Sequence, residues 1–599
     1  MDQHRVAITM DVRQNTYPSS ATGRAARVQS VAFLIIRRSG FLIPIAFLAF
    51  FFLYPLAVVF QFSFAEGAQG ILALLREGYY LRVFWFTVWQ ALLSTVLTLA
   101  LALPAAYVFA RYEFPGKALL RAISTAPFVM PTVVVAAAFS ALLGPRGLLN
   151  SWLQNVFSLD QPPIQIQNTL AIILLAHVFY NYTIVLRLVG GFWSNLDTRL
   201  EQAAAVLGAN RWRVLVEITL PLIFPALGAA ALLIFIFTFT SFGVIIILGG
   251  PRFATVEVEI YRQTAQLLQL DIAAALSLVQ LGCTLLFTLF YTRLAARSAV
   301  PLDLRPRHGI QRRLLTWRAR TLAAVNILVL LLLLGAPLLA LALRSVTVAG
   351  RDASGYTLEY YAALTENRTG SIFYVPPLTA LTNSLIFAGL TALLALLIGG
   401  LAAYLLAEQE TRSQRRQTGS RPASLVASLL DTLFTLPLGT SPVTLGLGLL
   451  LGFSVPLLAG LRASPLLIPV AHTLVALPFV VRVLLPVLRG LDPRLREAAA
   501  VLGAAPGRVW CEVDLPLIFP ALLTGVVFAF TVSLGEFGAT LIIARPEYPT
   551  LPIVIYRLLG QPGAINYGQA LALSTILMLT TAVSFLLLEK VRYRDIGEF

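Results

Sequence analysis

The segments LEQAAAVLGANRWRVLVEITLPLIFPAL, Leu200–Leu227, and LREAAAVLGAAPGRVWCEVDLPLIFPAL, Leu495–Leu522, stand 295 residues apart and are identical at 19 of 28 aligned positions without a gap. Alanine-rich stretches such as Ala498-Ala499-Ala500 favour helix. Asp492-Pro493 supplies a cap and a first-turn proline, and Gly503 can adopt the left-handed conformation that stops a helix. A second short helix over Arg508–Val513 then leads through Leu515-Pro516 into an apolar run. Each copy therefore reads as a helix–turn–helix elbow lying along a membrane surface. Its alanines would let a partner surface come close.

The surroundings place the elbows in a membrane protein. Of 599 residues 58% are hydrophobic and only 12% charged, against about 25% charged in soluble domains. Twelve apolar windows, near 41–60, 83–110, 125–144, 168–190, 225–248, 272–293, 321–343, 381–407, 424–452, 465–489, 520–543 and 567–589, are long enough to cross a bilayer as helices. Arginines concentrate in the even-numbered connections, with eight between Arg293 and Arg320. By the positive-inside rule both termini and both elbows are expected on the cytoplasmic side. The formal charge of +16 is thus loop charge beside lipid headgroups and does not point to nucleic acid. The first window lacks a cleavage pattern and reads as an uncleaved span.

The 295-residue register extends beyond the elbows. Leu196-Asp197 matches Leu491-Asp492, Phe242-Gly243 matches Phe537-Gly538, and Ile260-Tyr261-Arg262 matches Ile555-Tyr556-Arg557. The expected fold is an all-α polytopic membrane protein of about twelve transmembrane helices. They form two homologous six-helix halves in parallel pseudo-twofold arrangement, with the substrate path between the halves. The expected boundaries are a cytoplasmic segment 1–40, a first domain 41–294 with its elbow at 196–221, and a basic linker 295–320. A second domain 321–589 with its elbow at 491–516 and a cytoplasmic tail 590–599 follow.

The stretch from Glu497 to Pro516 resembles the E-A-A-x-x-x-G-(x)9-I-x-L-P coupling motif of bacterial ABC importer permeases. Glu497, Ala498, Ala499, Gly503, Leu515 and Pro516 fill its places, with Val513 at the isoleucine position. In the first copy Ala203, Ala204, Gly208, Ile218, Leu220 and Pro221 do so, with Gln202 in the acid's slot and Glu201 just before it. The resemblance implies a non-enzymatic transport subunit of a bacterial inner membrane, with both permease halves fused in one chain. It also implies two copies of a cytoplasmic ATPase that bind ATP and magnesium, an extracytoplasmic substrate-binding protein, and no cofactor on this chain. The only lysines, Lys117 and Lys590, lie in no phosphate-binding loop. Fused permeases of this kind resemble the thiamine and ferric-iron importers. Leu248–Gln263 and Ser533–Tyr556 look closer to the thiamine pattern, so thiamine or a related cation is the first cargo expected and ferric iron the second.

Glu536, in the eleventh window with Ser241 as its repeat equivalent, is a carboxylate at membrane depth and hence a path candidate. Tyr180 and Asn181 are candidate cavity-lining residues. His177 and His472 occupy equivalent places and read as helix–helix hydrogen-bonding residues. No catalytic cluster and no metal-ligand cluster is visible. Thr238–Gly243 reads as a site of close helix approach. A twelve-span proton- or sodium-coupled transporter is the rival reading, but such carriers need buried coupling charges, which are few here, and no repeated docking elbow.

Overall fold

The computed structural model describes residues 40–64, 76–197, 199–298, 312–348, 355–366, 376–415 and 429–594. The expected cytoplasmic segment 1–40 lies almost wholly outside them, as do the middle of the linker and the last five residues. Eleven described helices are long and apolar enough to cross a membrane, and a twelfth crossing is made if one bent pair is counted as a single span. We number them in chain order. Spans 1–6 are Leu42–Ser63, Gly78–Arg111, Thr132–Phe157, Leu170–Ser194, Trp212–Phe239 and Leu270–Leu294. Span 7 is Trp317–Ser345 and span 8 is Pro377–Gln409. Span 9 is the bent pair Leu429–Gly439 and Pro442–Gly452, and spans 10–12 are Leu467–Gly490, Gly507–Gly535 and Ala564–Leu587.

Several expected boundaries move, each for a local reason. The third window began at 125, but the chain forms a separate helix, Lys117–Val129, that ends at Met130-Pro131. A proline disfavours helical geometry in the residue before it, and Met130 is extended at ψ 136. Span 9 is bent by 99° at Thr440-Ser441, where the Ser441 hydroxyl caps the second piece by accepting from Val443 N and Thr444 N. The fifth and eleventh windows end early, at Phe239 and Gly535, and each is followed by a short helix, Gly243–Leu248 or Gly538–Ile543. The linker expected at 295–320 is helical at both ends, since span 6 continues to Ser298 and span 7 starts at Trp317. The last helix runs to Arg594, past the expected start of the tail.

The two halves interlock. Span 1 leaves its own half to pack on span 9, and on span 6 of its own half. The Tyr54 hydroxyl donates to Gly452 O at 2.9 Å. Span 7 does the converse, packing on spans 3 and 12. Apolar side chains of spans 2, 3, 4, 5, 6, 7 and 12 share one continuous core, and spans 8, 10 and 11 form the second with part of span 1. Glu257, buried in the connection after span 5, accepts from the Ser441 hydroxyl at 2.7 Å and from Gln280 Nε2. Thr284 Oγ1 donates to Gly439 O at 2.8 Å. The first half thereby holds the break of span 9.

Spans 4 and 10 are the most enclosed, 67% and 72% buried, whereas spans 1, 5 and 7 are 28% buried and keep much apolar surface for lipid. A short parallel strand pair, Tyr112↔Arg312 and Glu113↔Arg313, ties the end of span 2 to the linker. Counting crossings from that end brings both elbows out on the same end of the bundle.

Candidate functional site

The elbows form as their sequences require. The first comprises helices Arg199–Val206 and Arg211–Val214, the second Pro493–Val501 and Pro506–Val509. Asp197 and Asp492 accept from the amides of Arg199 and Arg494, each at 2.9 Å. Gly208 and Gly503 sit at φ +88° and +84°, a region that a Cβ disfavours. The following amides, Ala209 N and Ala504 N, reach back to Ala204 O and Ala499 O at 3.0 Å and close the helix end.

Both elbows join their spans through a π-helical turn, Leu215–Thr219 and Trp510–Asp514. Pro221 and Pro516 have no amide hydrogen to continue the α-helical ladder. The preceding amides of Leu220 and Leu515 bond five residues back, to Leu215 O and Trp510 O.

The outer tips are apolar and bare. Val206 and Leu207 are 87% and 88% exposed, and their equivalents Val501 and Leu502 are 88% and 86% exposed. Gln202, Ala203, Glu497 and Ala498 are exposed on the same helices, while Ala204 and Ala499 are half-buried. Glu201 turns inward and pairs with the buried Arg111 at the end of span 2. Thr219 Oγ1 also donates to it at 3.0 Å.

At mid-bundle, between the halves, lies a cavity of about 380 Å³. It brings together all four candidate path residues, Tyr180, Asn181, Ser241 and Glu536, from spans 4, 5 and 11 or just beyond them. Phe237, Phe479 and Phe528 add aromatic wall. At the ends of spans 5 and 11 remote from the elbows, Phe242 and its repeat equivalent Phe537 stack with centroids 5.6 Å apart and planes at 25°. Tyr261 flanks Phe242 at 5.7 Å, and Tyr556, its equivalent, flanks Phe537 at 5.3 Å. Four pairwise-equivalent rings thus meet where the two halves are related, and Phe242 and Phe537 line the cavity. Gly243 permits this approach, since a Cβ there would stand 2.3 Å from Thr132 Oγ1 and 3.3 Å from the Phe537 ring.

The polar lining is asymmetric. His177 Nε2 lies 2.9 Å from Ser241 Oγ and its Nδ1 2.9 Å from Ser94 Oγ. His472, its equivalent, has Nδ1 2.7 Å from Ser533 Oγ and Nε2 3.3 Å from Glu536 Oε2. Both histidines therefore link helices, as their placement suggests. Glu536 is not inside span 11. It follows the helix with extended backbone and caps the next one, accepting from Ala539 N at 2.8 Å, Thr540 N at 3.0 Å and the Thr540 hydroxyl. Two amides, a hydroxyl and an imidazole compensate the removal of its carboxylate from water. It borders the cavity but is held by its own segment and by His472 of span 10. Tyr180 donates to Met130 O at 3.2 Å, at the break before span 3, and Asn181 donates to His177 O at 2.8 Å.

Two features escaped the sequence reading: the aromatic stack between the halves and the inward pairing of Glu201. The first was signalled by Phe-Gly at equivalent places in both halves. The second was signalled by AAYVFAR (Ala105–Arg111) and AAYLLAE (Ala402–Glu408), which share Ala-Ala-Tyr and the penultimate alanine but end in opposite charges.

The family match falls once in each half. A family model described as "Binding-protein-dependent transport system inner membrane component" matches residues 101–300 and again 416–592. The chain is 29% identical over 550 residues to the thiamine transport system permease protein ThiP of Brucella abortus (strain 2308), covering 87% of this chain and 92% of that protein. It is 26% identical over 537 residues to ThiP of Escherichia coli (strain K12), covering 88% and 91%. One solved chain, from a bacterial alginate ABC transporter in complex with an alginate pentasaccharide-bound periplasmic protein, aligns over 44% of this chain and 96% of its own, with 23% identity and a TM-score of 0.36. With one family match in each half, together spanning more than half of its residues, the chain belongs to the binding-protein-dependent transport system inner membrane components, the permease subunits of ABC transporters.

Proposed function

We propose that this permease forms the path for thiamine, or a closely related heteroaromatic cation, delivered by an extracytoplasmic binding protein. Two copies of a cytoplasmic ATPase, which bind ATP and magnesium, would drive it by docking on the two elbows. The observation that carries the cargo reading is the similarity, over nearly the whole chain, to relatives named as thiamine transport permeases. The cavity is compatible in chemistry. Its size falls within the roughly 300–1,000 Å³ usual for small-molecule sites, and aromatic faces attract flat cations. Ferric iron is not favoured, because relatives matched over most of the chain carry thiamine names.

As a member of its family the chain is a multi-pass inner-membrane transport subunit and not an enzyme. The cytoplasmic placement of the elbows and of both termini rests on the arginine distribution.

The test is reconstitution in proteoliposomes with the ATPase subunit and the binding protein. Uptake of labelled thiamine is expected to require ATP and all three components. Uptake of another cargo with thiamine left outside would sink the cargo assignment. Uptake by this chain alone on a proton gradient would sink the coupling scheme and revive the secondary-transporter reading.

A further inference from the structure

The outer faces of the two elbows are near copies, but their inner faces are charged in opposite senses. In the first half the elbow carries the acid: Glu201 pairs with Arg111 at the end of span 2 and accepts from Thr219 at the root of span 5. In the second half the equivalent of Glu201 is Arg496, and the equivalent of Thr219 is Asp514. Arg496 Nε donates to Asp514 Oδ1 at 2.7 Å. When the Ala-Ala-Tyr stretches at Ala105 and Ala402 are aligned, the position matching Arg111 is Glu408. One elbow is therefore an anion seated between a cation and a hydroxyl, and the other is a cation seated at an anion.

The ion on the membrane side is the buried one in both cases. The Arg111 side chain is 8% exposed and the Asp514 side chain 7% exposed, whereas the elbow partners Glu201 and Arg496 are 24% and 38% exposed. Arg111 Nη1 has no hydrogen-bond acceptor among the described residues, which leaves Glu201 as the anion that compensates this buried cation. A buried charge that loses its partner is strongly destabilised, so neither elbow can lift off its span freely. Each would also meet a like charge on the seat of the other half: Glu201 would face Asp514, and Arg496 would face Arg111.

We infer that these two ion pairs of reversed polarity are positioning locks. They fix each elbow to the spans of its own half, and they set how far displacement of the elbow moves span 2 and span 5 on one side and span 11 on the other. Glu201 thus serves the membrane side of the elbow rather than the ATPase. The inference rests on the reading that the elbows dock the ATPase, so docking and coupling are measured separately.

The experiment uses the full chain in proteoliposomes with its ATPase and binding protein, and compares Arg111→Glu, Glu201→Arg, the double reversal, and Glu201→Gln. Affinity for the ATPase, cargo moved per ATP hydrolysed, and yield of folded permease are read for each. Each single reversal is expected to lower cargo moved per ATP by about tenfold or more, with ATPase affinity unchanged, and the double reversal to restore most of it. Arg496→Glu with Asp514→Arg should behave alike. If a single reversal does not fold, a folded double reversal is itself the rescue, and Glu201→Gln supplies the coupling measurement. A double reversal no better than its singles overturns the inference. So does loss of ATPase binding in the Glu201 variants, which would make Glu201 a docking residue. Failure of the unmodified chain to bind the ATPase would instead remove the docking reading.

Discussion

Replacing Leu502 by alanine isolates what the elbow tips do, because in the chain by itself this side chain supports nothing. Leu502 is 86% exposed and Val501 88% exposed, so truncation leaves no cavity and should not change the stability of the permease. If an ATPase surface covers the tip, the change removes three carbons from a buried contact, at about 0.8 kcal/mol per methylene. The expected loss is about 2.4 kcal/mol, roughly 50-fold in affinity at 1.4 kcal/mol per tenfold. Association costs and water trapped at the rim make this an upper figure. Titration of the purified ATPase subunit onto permease in lipid nanodiscs would measure it, with thermal unfolding of the permease alone as control. Leu207→Ala should act on the first elbow by a similar amount, since Leu207 is 88% exposed. Unchanged affinity in both variants, or an effect on the melting temperature in place of affinity, would refute docking through these tips.

Other outcomes follow from the same geometry. Glu497→Arg should weaken ATPase association more than Glu536→Gln, because Glu497 lies on the exposed elbow and Glu536 is enclosed beside the cavity; equal effects in the same titration would undo that division. Glu257→Ala leaves Ser441 and Gln280 without their shared acceptor. It should lower permease stability by about 1–3 kcal/mol, seen as a lower melting temperature; an unchanged melt would show that this bridge is dispensable. Removing both stacked rings, Phe242→Ala with Phe537→Ala, should raise cargo leak through liposomes without ATP, and a membrane as tight as before would mean another layer closes the path. Breaking the exposed pair Arg508–Glu512, 2.8 Å apart, should leave the melting temperature nearly unchanged because water screens the pair, and a large loss of stability would show that the pair lies in a tighter environment.

The sequence by itself determined the class, the repeat and the elbows. A bilayer demands long apolar helices and leaves little else to choose, so twelve windows were legible from composition. The elbows were legible because their helix formers, caps and left-handed glycines act within a few residues of one another. The span ends at Met130-Pro131, Thr440-Ser441 and Gly535 were not, since apolar runs continue through them. What ends them is proline geometry, a serine cap and the Glu536 side chain turning back onto amides. Only the tertiary structure decided that span 1 packs on the opposite half, that Phe242 meets Phe537, and that Glu201 faces the membrane side. Each of these joins residues far apart in the chain, and hydropathy carries no record of which apolar face finds which. The pairing of Arg111 with Glu201 spans 90 positions, and it exists because folding brings the end of span 2 beneath the elbow.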